Sequence, residues 1–104
     1  MPFLIGNNKE LQPLNAVITQ QFITLETKQV AAGAEVNFSK QFNIDEGYSA
    51  LAVAGMSTAT GLIPKGWDLI QNGQSVTITV KVRNVTASAI SGTVSVTYLK
   101  VWNQ

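Results

Sequence analysis

The chain has 104 residues, is 45% hydrophobic and only 12% charged, and carries seven basic against six acidic residues for a net charge of +1. That length suits one domain with a core of its own, and scattered charge with a single arginine, Arg83, lacks the clustered Lys/Arg that binding nucleic-acid phosphates needs, so no nucleic-acid partner is expected. With no cysteine and no histidine, disulfides, Ser-His-Asp and Cys-His nucleophiles and zinc sites built on those ligands are excluded as well.

The first sixteen residues, "MPFLIGNNKELQPLNA", hold two prolines and an Asn-Asn turn signal behind an apolar tip of Phe3, Leu4 and Ile5. They read as an extended arm (residues 1–16) ahead of a β domain (17–104). No basic n-region precedes the tip, so a secretory leader is not expected and synthesis in a cytoplasm is. No apolar run approaches the ~20 residues of a membrane helix, so membrane insertion is not expected. Beyond the arm, period-2 segments recur between Gly, Asn and Asp, the signature of an all-β chain.

"AVITQQFITLETKQVAAG" predicts a strand or a broken pair, with Ile23 and Leu25 on one face. In "AEVNFSKQFNI", Val36 and Phe38 alternate with Asn37 and Ser39 and continue to Phe42 and Ile44; Asp45 to Gly47 is a turn. "YSALAVAGM" predicts a strand with Leu51 and Val53 on one side and Ala50, Ala52 and Ala54 on the other. "STATGLIPKG" reads as a polar loop and "WDLIQNG" as a short strand ending in Asn-Gly, the strongest short-range hairpin signal. Its partner "QSVTITVKVRN" sends Val76, Ile78, Val80 and Val82 to the core. "VTASAISG" leads into the last strand, "TVSVTYLKVWNQ", which turns apolar on both faces at Leu99, Val101 and Trp102. Six to eight strands with turns every ~10 residues predict a single β-sandwich, jelly-roll-like in preference to immunoglobulin-like.

Catalytic chemistry is hard to place. Asp45 and Glu46 adjoin in a turn and do not make the facing carboxylates that glycoside hydrolysis requires, spaced by ~5–10 Å. No phosphate loop and no acidic calcium loop occurs, so no cofactor or metal is expected and the chain reads as not an enzyme. "NVT" at Asn84 matches a glycosylation acceptor, a triplet common by chance. The best local candidate for a ligand loop is Ser57, Thr58, Thr60, Trp67 and Asp68: an aromatic plane beside hydroxyls and a carboxylate suits carbohydrate stacking. The candidate subunit or particle contact is Phe3, Leu4 and Ile5 with Leu99, Val101 and Trp102, apolar side chains in excess of what one core takes.

Two stretches, "GYSALAVAGMSTATG" and "VTITVKVRNVTASAISGTVSVTYLKVW", together resemble the C-terminal β domains of tail-fibre and other virion structural proteins of bacteriophages that infect Gram-positive bacteria. The matching positions are Gly47, Tyr48, Gly55, Arg83, Asn84, Gly92, Tyr98, Leu99 and Lys100, within roughly residues 30 to 102. The resemblance implies a non-enzymatic virion protein made in the host cytoplasm, a homo-oligomer with a trimer favoured, whose partners are other virion proteins. It would decorate or build the particle, as a capsid decoration, head fibre or tail component. Fibre proteins carry such a domain behind a long shaft, whereas here a short arm precedes it. The alternative is a receptor-binding or lectin-like module for host attachment that reads cell-wall saccharides.

Overall fold

The computed structural model describes residues 4–5, 9–10 and 18–103. Its strands are β1 (Leu4–Ile5), β2 (Lys9–Glu10), β3 (Ile18–Val30), β4 (Glu35–Asn43), β5 (Tyr48–Ser57), β6 (Leu62–Asn72), β7 (Ser75–Asn84) and β8 (Ile90–Trp102). Within the predicted arm, β1 and β2 pair antiparallel with each other; the side chains of Phe3, Leu4 and Ile5 lie outside the described residues. The other six strands form two antiparallel sheets, ordered β3-β8-β5 and β4-β7-β6. The pairs are nested: β3 with β8, β4 with β7, and β5 opposite β6 across the layers. Among these six strands only the β6–β7 connection stays within a sheet, so the order is that of a jelly roll reduced to three strands per sheet.

Each sheet is centred on its most regularly patterned strand. In β7, Val76, Ile78, Val80 and Val82 are fully buried while Lys81 and Arg83 are exposed, as the alternation predicts. The Asn72-Gly73 turn joins it to β6, with Gly73 at φ 63°, the left-handed conformation a tight hairpin needs. In β8, Val94, Val96 and Tyr98 point inward, and Phe38 of β4, Leu25 and Val30 of β3 and Leu62 of β6 complete the core between the layers.

One element takes the first of the two forms read from the sequence, and two others differ from that reading. The segment after the arm is one strand of 13 residues, kinked by a bulge between Thr24 and Glu26 that lets Leu25 stay buried. β5 has bulges between Ala50 and Ala52 and between Val53 and Gly55, so Leu51 is exposed while Val53 packs inward. β6 starts at Leu62, so the predicted polar loop shrinks to residues 58–61. Pro64 fits inside this strand because β6 is an edge and bulges between Pro64 and Gly66.

The four edge strands leave backbone groups unpaired along two open seams, and one side chain bridges each seam. On the β3/β4 seam, the Ser39 N–H donates to Glu26 Oε1 at 2.7 Å; on the β5/β6 seam, the Ala50 N–H donates to Gln71 Oε1 at 2.8 Å. The bulge in β3 turns Glu26 toward β4. Lys28, two residues on, lies 3.5 Å from the same carboxylate and 4.9 Å from the centre of the Phe38 ring. The backbone hydrogen bond from Ser39 is the main effect that holds the Glu26 carboxyl below its ordinary value of 4.5; burial opposes it in part, and the Lys28 charge and hydrogen bond add smaller lowering effects. A depressed carboxylate contributes stability that is complete above the unfolded value and lost as pH falls through the folded one. Glu26→Gln, which resembles the protonated carboxyl, should therefore be less stable than wild type near pH 7 and match it near pH 3, flattening the decline below about pH 4.5. Urea midpoints of both proteins at pH 7 and pH 3 measure this; equal acid losses would show that Glu26 is not a source of the decline.

Candidate functional site

The outer faces of the two sheets differ in kind. Alternation places Glu35, Asn37, Thr79, Lys81, Arg83 and Asp68 outward on the β4-β7-β6 sheet, a mainly polar surface of both signs on which Ile63 and Ile70 of β6 are also exposed. Asn37, Thr79, Lys81 and Asp68 line a shallow depression of 310 Å³ there, with Lys65, Gly66 and Trp67 on its rim. Among the described residues, the outer face of β3-β8-β5 has no charged side chain. It runs in rows across the sheet: Ile18, Val101 and Ser49; Gln20, Leu99 and Ala52; Phe22, Thr97 and Gly55; Thr24, Ser95 and Ser57. Phe22 is 62% exposed and Leu51, in the neighbouring bulge, 51%.

The candidate contact residues of the last strand thus divide between two faces. Leu99 and Val101 point outward on the uncharged face, at the middle of the sheet. Trp102 points the other way, because the alternation of β8 continues through Lys100 rather than ending: Tyr98, Lys100 and Trp102 all face inward. The Trp102 ring packs edge-on to Tyr48, with centroids 5.2 Å apart, and covers Gly47 so closely that a Cβ there would lie 2.5 Å from its ring. Trp102 closes one end of the sandwich.

Lys100 occupies a position that the pattern reserves for an apolar residue. Its ammonium lies 3.4 Å from Asp45 and 4.6 Å above the Tyr48 ring, so an inward cation is paired and stacked. Beside it, Tyr98, Phe42, Ile44, Gln21 and Asn43 line a groove of 320 Å³ on the β3/β4 seam. Burial, and then the Asp45 charge, push the Tyr98 phenol above its ordinary value, so it remains protonated there at neutral pH.

The predicted ligand loop does not converge. Asp68 and Trp67 are successive residues of a strand and face opposite ways: Asp68 lies on the outer polar face, Trp67 over the β5/β6 seam. Ser57 is on the outer face of the other sheet, and the Thr58 hydroxyl donates to the Leu62 carbonyl at 2.9 Å, closing the short turn that holds Thr60. Trp67 itself is 56% exposed and walls an apolar groove of 310 Å³ with Val53, Ala54, Gly55, Met56 and Pro64.

Asn84 has a structural role that its triplet did not suggest. It is fully buried at the end of β7; its amide donates to the carbonyls of Val30 at 3.0 Å and Ser88 at 2.8 Å, and its oxygen accepts from the Thr86 N–H at 2.9 Å and hydroxyl at 2.7 Å. Its backbone N–H donates to Ala34 O and its carbonyl accepts from Gly33 N–H, both at 2.9 Å. One residue thus ties β3, the β3–β4 turn and the β7–β8 connection together. The signal available in the sequence was the spacing Asn84, Thr86, Ser88 at a strand end, a pattern of side chains that bond to nearby backbone.

Among the described residues, no helix is long and apolar enough to cross a membrane. Comparison with protein-family models, with curated proteins and with solved structures returns no match to this chain.

Proposed function

We propose that this protein is a non-enzymatic structural component of a bacteriophage particle, an oligomeric β module that works by assembling through one uncharged face. The observation that carries this reading is the outer face of β3-β8-β5: a whole sheet face without a charged side chain, with Leu99 and Val101 at its centre and Ile18, Phe22, Leu51 and Ala52 around them. Contiguous apolar surface of that kind marks contact sites, whereas the opposite outer face is mainly polar and charged as a solvated face is. The resemblance of residues 30 to 102 to virion β domains supplies the context.

The test is to label intact particles with antibody to this protein and to compare incorporation of wild-type chain with Leu99→Lys. Label on the head or tail, with loss of at least tenfold of the variant from particles, is the expected result. No label on any particle would overturn the reading. A second reading, recognition of host cell-wall saccharide, rests on the half-exposed Trp67 ring. The groove that Trp67 walls is otherwise built of Val53, Ala54, Gly55, Met56 and Pro64, which offer no side-chain hydrogen bonds to sugar hydroxyls. Binding to wall fractions that disappears in Trp67→Ala would favour that reading over the first.

A further inference from the structure

We infer that the uncharged face binds a second copy of this chain, and that the two β3-β8-β5 sheets stack about a twofold axis running along β8. This rests on the reading of that face as an assembly surface and adds its partner and its geometry.

Shape is the first argument. Phe22 and Gly55 both pair with Thr97, so they sit in one row, one strand to either side of β8. Phe22 projects from the sheet, 62% exposed, and at Gly55 a Cβ would meet no atom within 4 Å. A twofold axis along β8 exchanges left for right within each row and keeps the rows level. It lays Phe22 of one copy over Gly55 of the other, twice. In the next row it lays Gln20 over Ala52, again long over small. The third member of that row, Leu99, lies near the axis and meets its own counterpart. A large edge, a flat middle and a small edge form a surface complementary to itself, as a twofold contact requires.

Charge is the second argument. A residue near a twofold axis faces its own copy, so any charge there meets its like. The middle of this face is Ser95, Thr97, Leu99 and Val101, and no charged group lies on either flank. A partner selected by electrostatic complementarity would need charges on this face; a second copy needs their absence.

Size is the third. β5 flanks β8 only over residues 95–102, so three strands ~4.8 Å apart there and two beyond, rising ~3.3 Å per residue, present roughly 550 Å² per copy, or roughly 1,100 Å² in total. That lies near the lower bound of specific interfaces, so the dimer should dissociate on dilution in the micromolar range. Twisted sheets stacked face to face cross at about 30°, which two copies reach by tilting each β8 about half that angle from the axis.

The experiment uses the full chain and light scattering with sedimentation over a hundredfold range of concentration. Wild-type protein should pass from the 11.2 kDa chain mass toward twice that value. Leu99→Lys and Leu99→Glu should each be monomeric throughout, because each places like charges across the axis. An equimolar mixture of the two should regain the dimer, at least tenfold tighter than either alone. Gly55→Gln, which fills the hole at a position with free space in the monomer, should also be monomeric while unfolding as cooperatively as wild type. Recovery in the mixture is the outcome that only a copy-to-copy contact at Leu99 gives. Wild-type dimers that survive both Leu99 charges would overturn the proposal, as would a trimer. A wild-type monomer at every concentration would overturn it too. If Leu99→Lys were nevertheless lost from particles, the assembly reading would stand with a different protein on the face.

Discussion

Replacing Asn84 by alanine should cost about 3 kcal/mol and lower the melting temperature by roughly 12–20 °C, more than any surface change in this protein. Four hydrogen bonds from one fully buried side chain are lost, and the carbonyls of Val30 and Ser88 and the N–H of Thr86 lose that partner. Each buried group left unsatisfied costs ~1–3 kcal/mol, partly recovered where the β7–β8 connection can admit water. Asn84→Asp should be worse despite its matching size. It replaces the amide's donors with carboxylate oxygen facing two carbonyls, and breaking a buried arrangement that way costs about 3–5 kcal/mol. Thermal unfolding followed by circular dichroism measures both variants. A shift in Asn84→Ala of only 2–3 °C would mean that the knot is held by its backbone hydrogen bonds alone.

The second large effect is expected at the other end of the sandwich. Gly47→Val should destabilise by about 2–4 kcal/mol through two separate costs. Gly47 has φ 88°, a conformation that β-branched residues resist, and its missing Cβ is the space that the Trp102 ring occupies, 2.5 Å away at the nearest carbon. Gly47→Ala should cost less, because the ring is partly exposed and can tilt outward. In a Trp67→Phe background, Trp102 fluorescence should shift to the red as the ring leaves its seat. Trp102→Ser should likewise appear as lost stability of about 1.5–3 kcal/mol, with the self-association of the chain unchanged. If it instead abolished association and left the monomer as stable as before, the end-closing role would be wrong.

What could be read from the sequence followed from local period. β7 was legible in full because each residue's face is set by its neighbours two positions away, and Asn72-Gly73 announced the hairpin. The face of Leu51 was not legible, because it depends on bulges, and a bulge is defined by the residues of a partner strand that the sequence does not identify. β8 misled in a related way. Leu99, Val101 and Trp102 read together as a break in the alternation, whereas Lys100 between them is an inward cation held by Asp45 and Tyr48, from a turn and a strand some 50 positions earlier. Once Lys100 is placed inward, Trp102 follows it and only Leu99 and Val101 are left outside. The ligand loop failed for a simpler reason: residues adjacent in a strand cannot share a face, and Trp67 and Asp68 belong to a strand, not a loop. Glu26 and Gln71 carried no local signal, since each bonds to an edge that comes near it only when the two layers close.

Those two acceptors also limit how large an assembly of this protein can grow. Added strands extend a sheet along its hydrogen-bonding direction, and that is how concentrated β proteins run on into fibres. Here three of the four outer strands are bulged and the fourth, β4, has its Ser39 amide occupied by Glu26, so a neighbouring chain meets interrupted ladders on every side. Growth is left to the broad surfaces, and of these only one is free of charge. With the proposed twofold contact on that surface and these blunted margins, the chain would make closed pairs and then stop rather than run on into fibres.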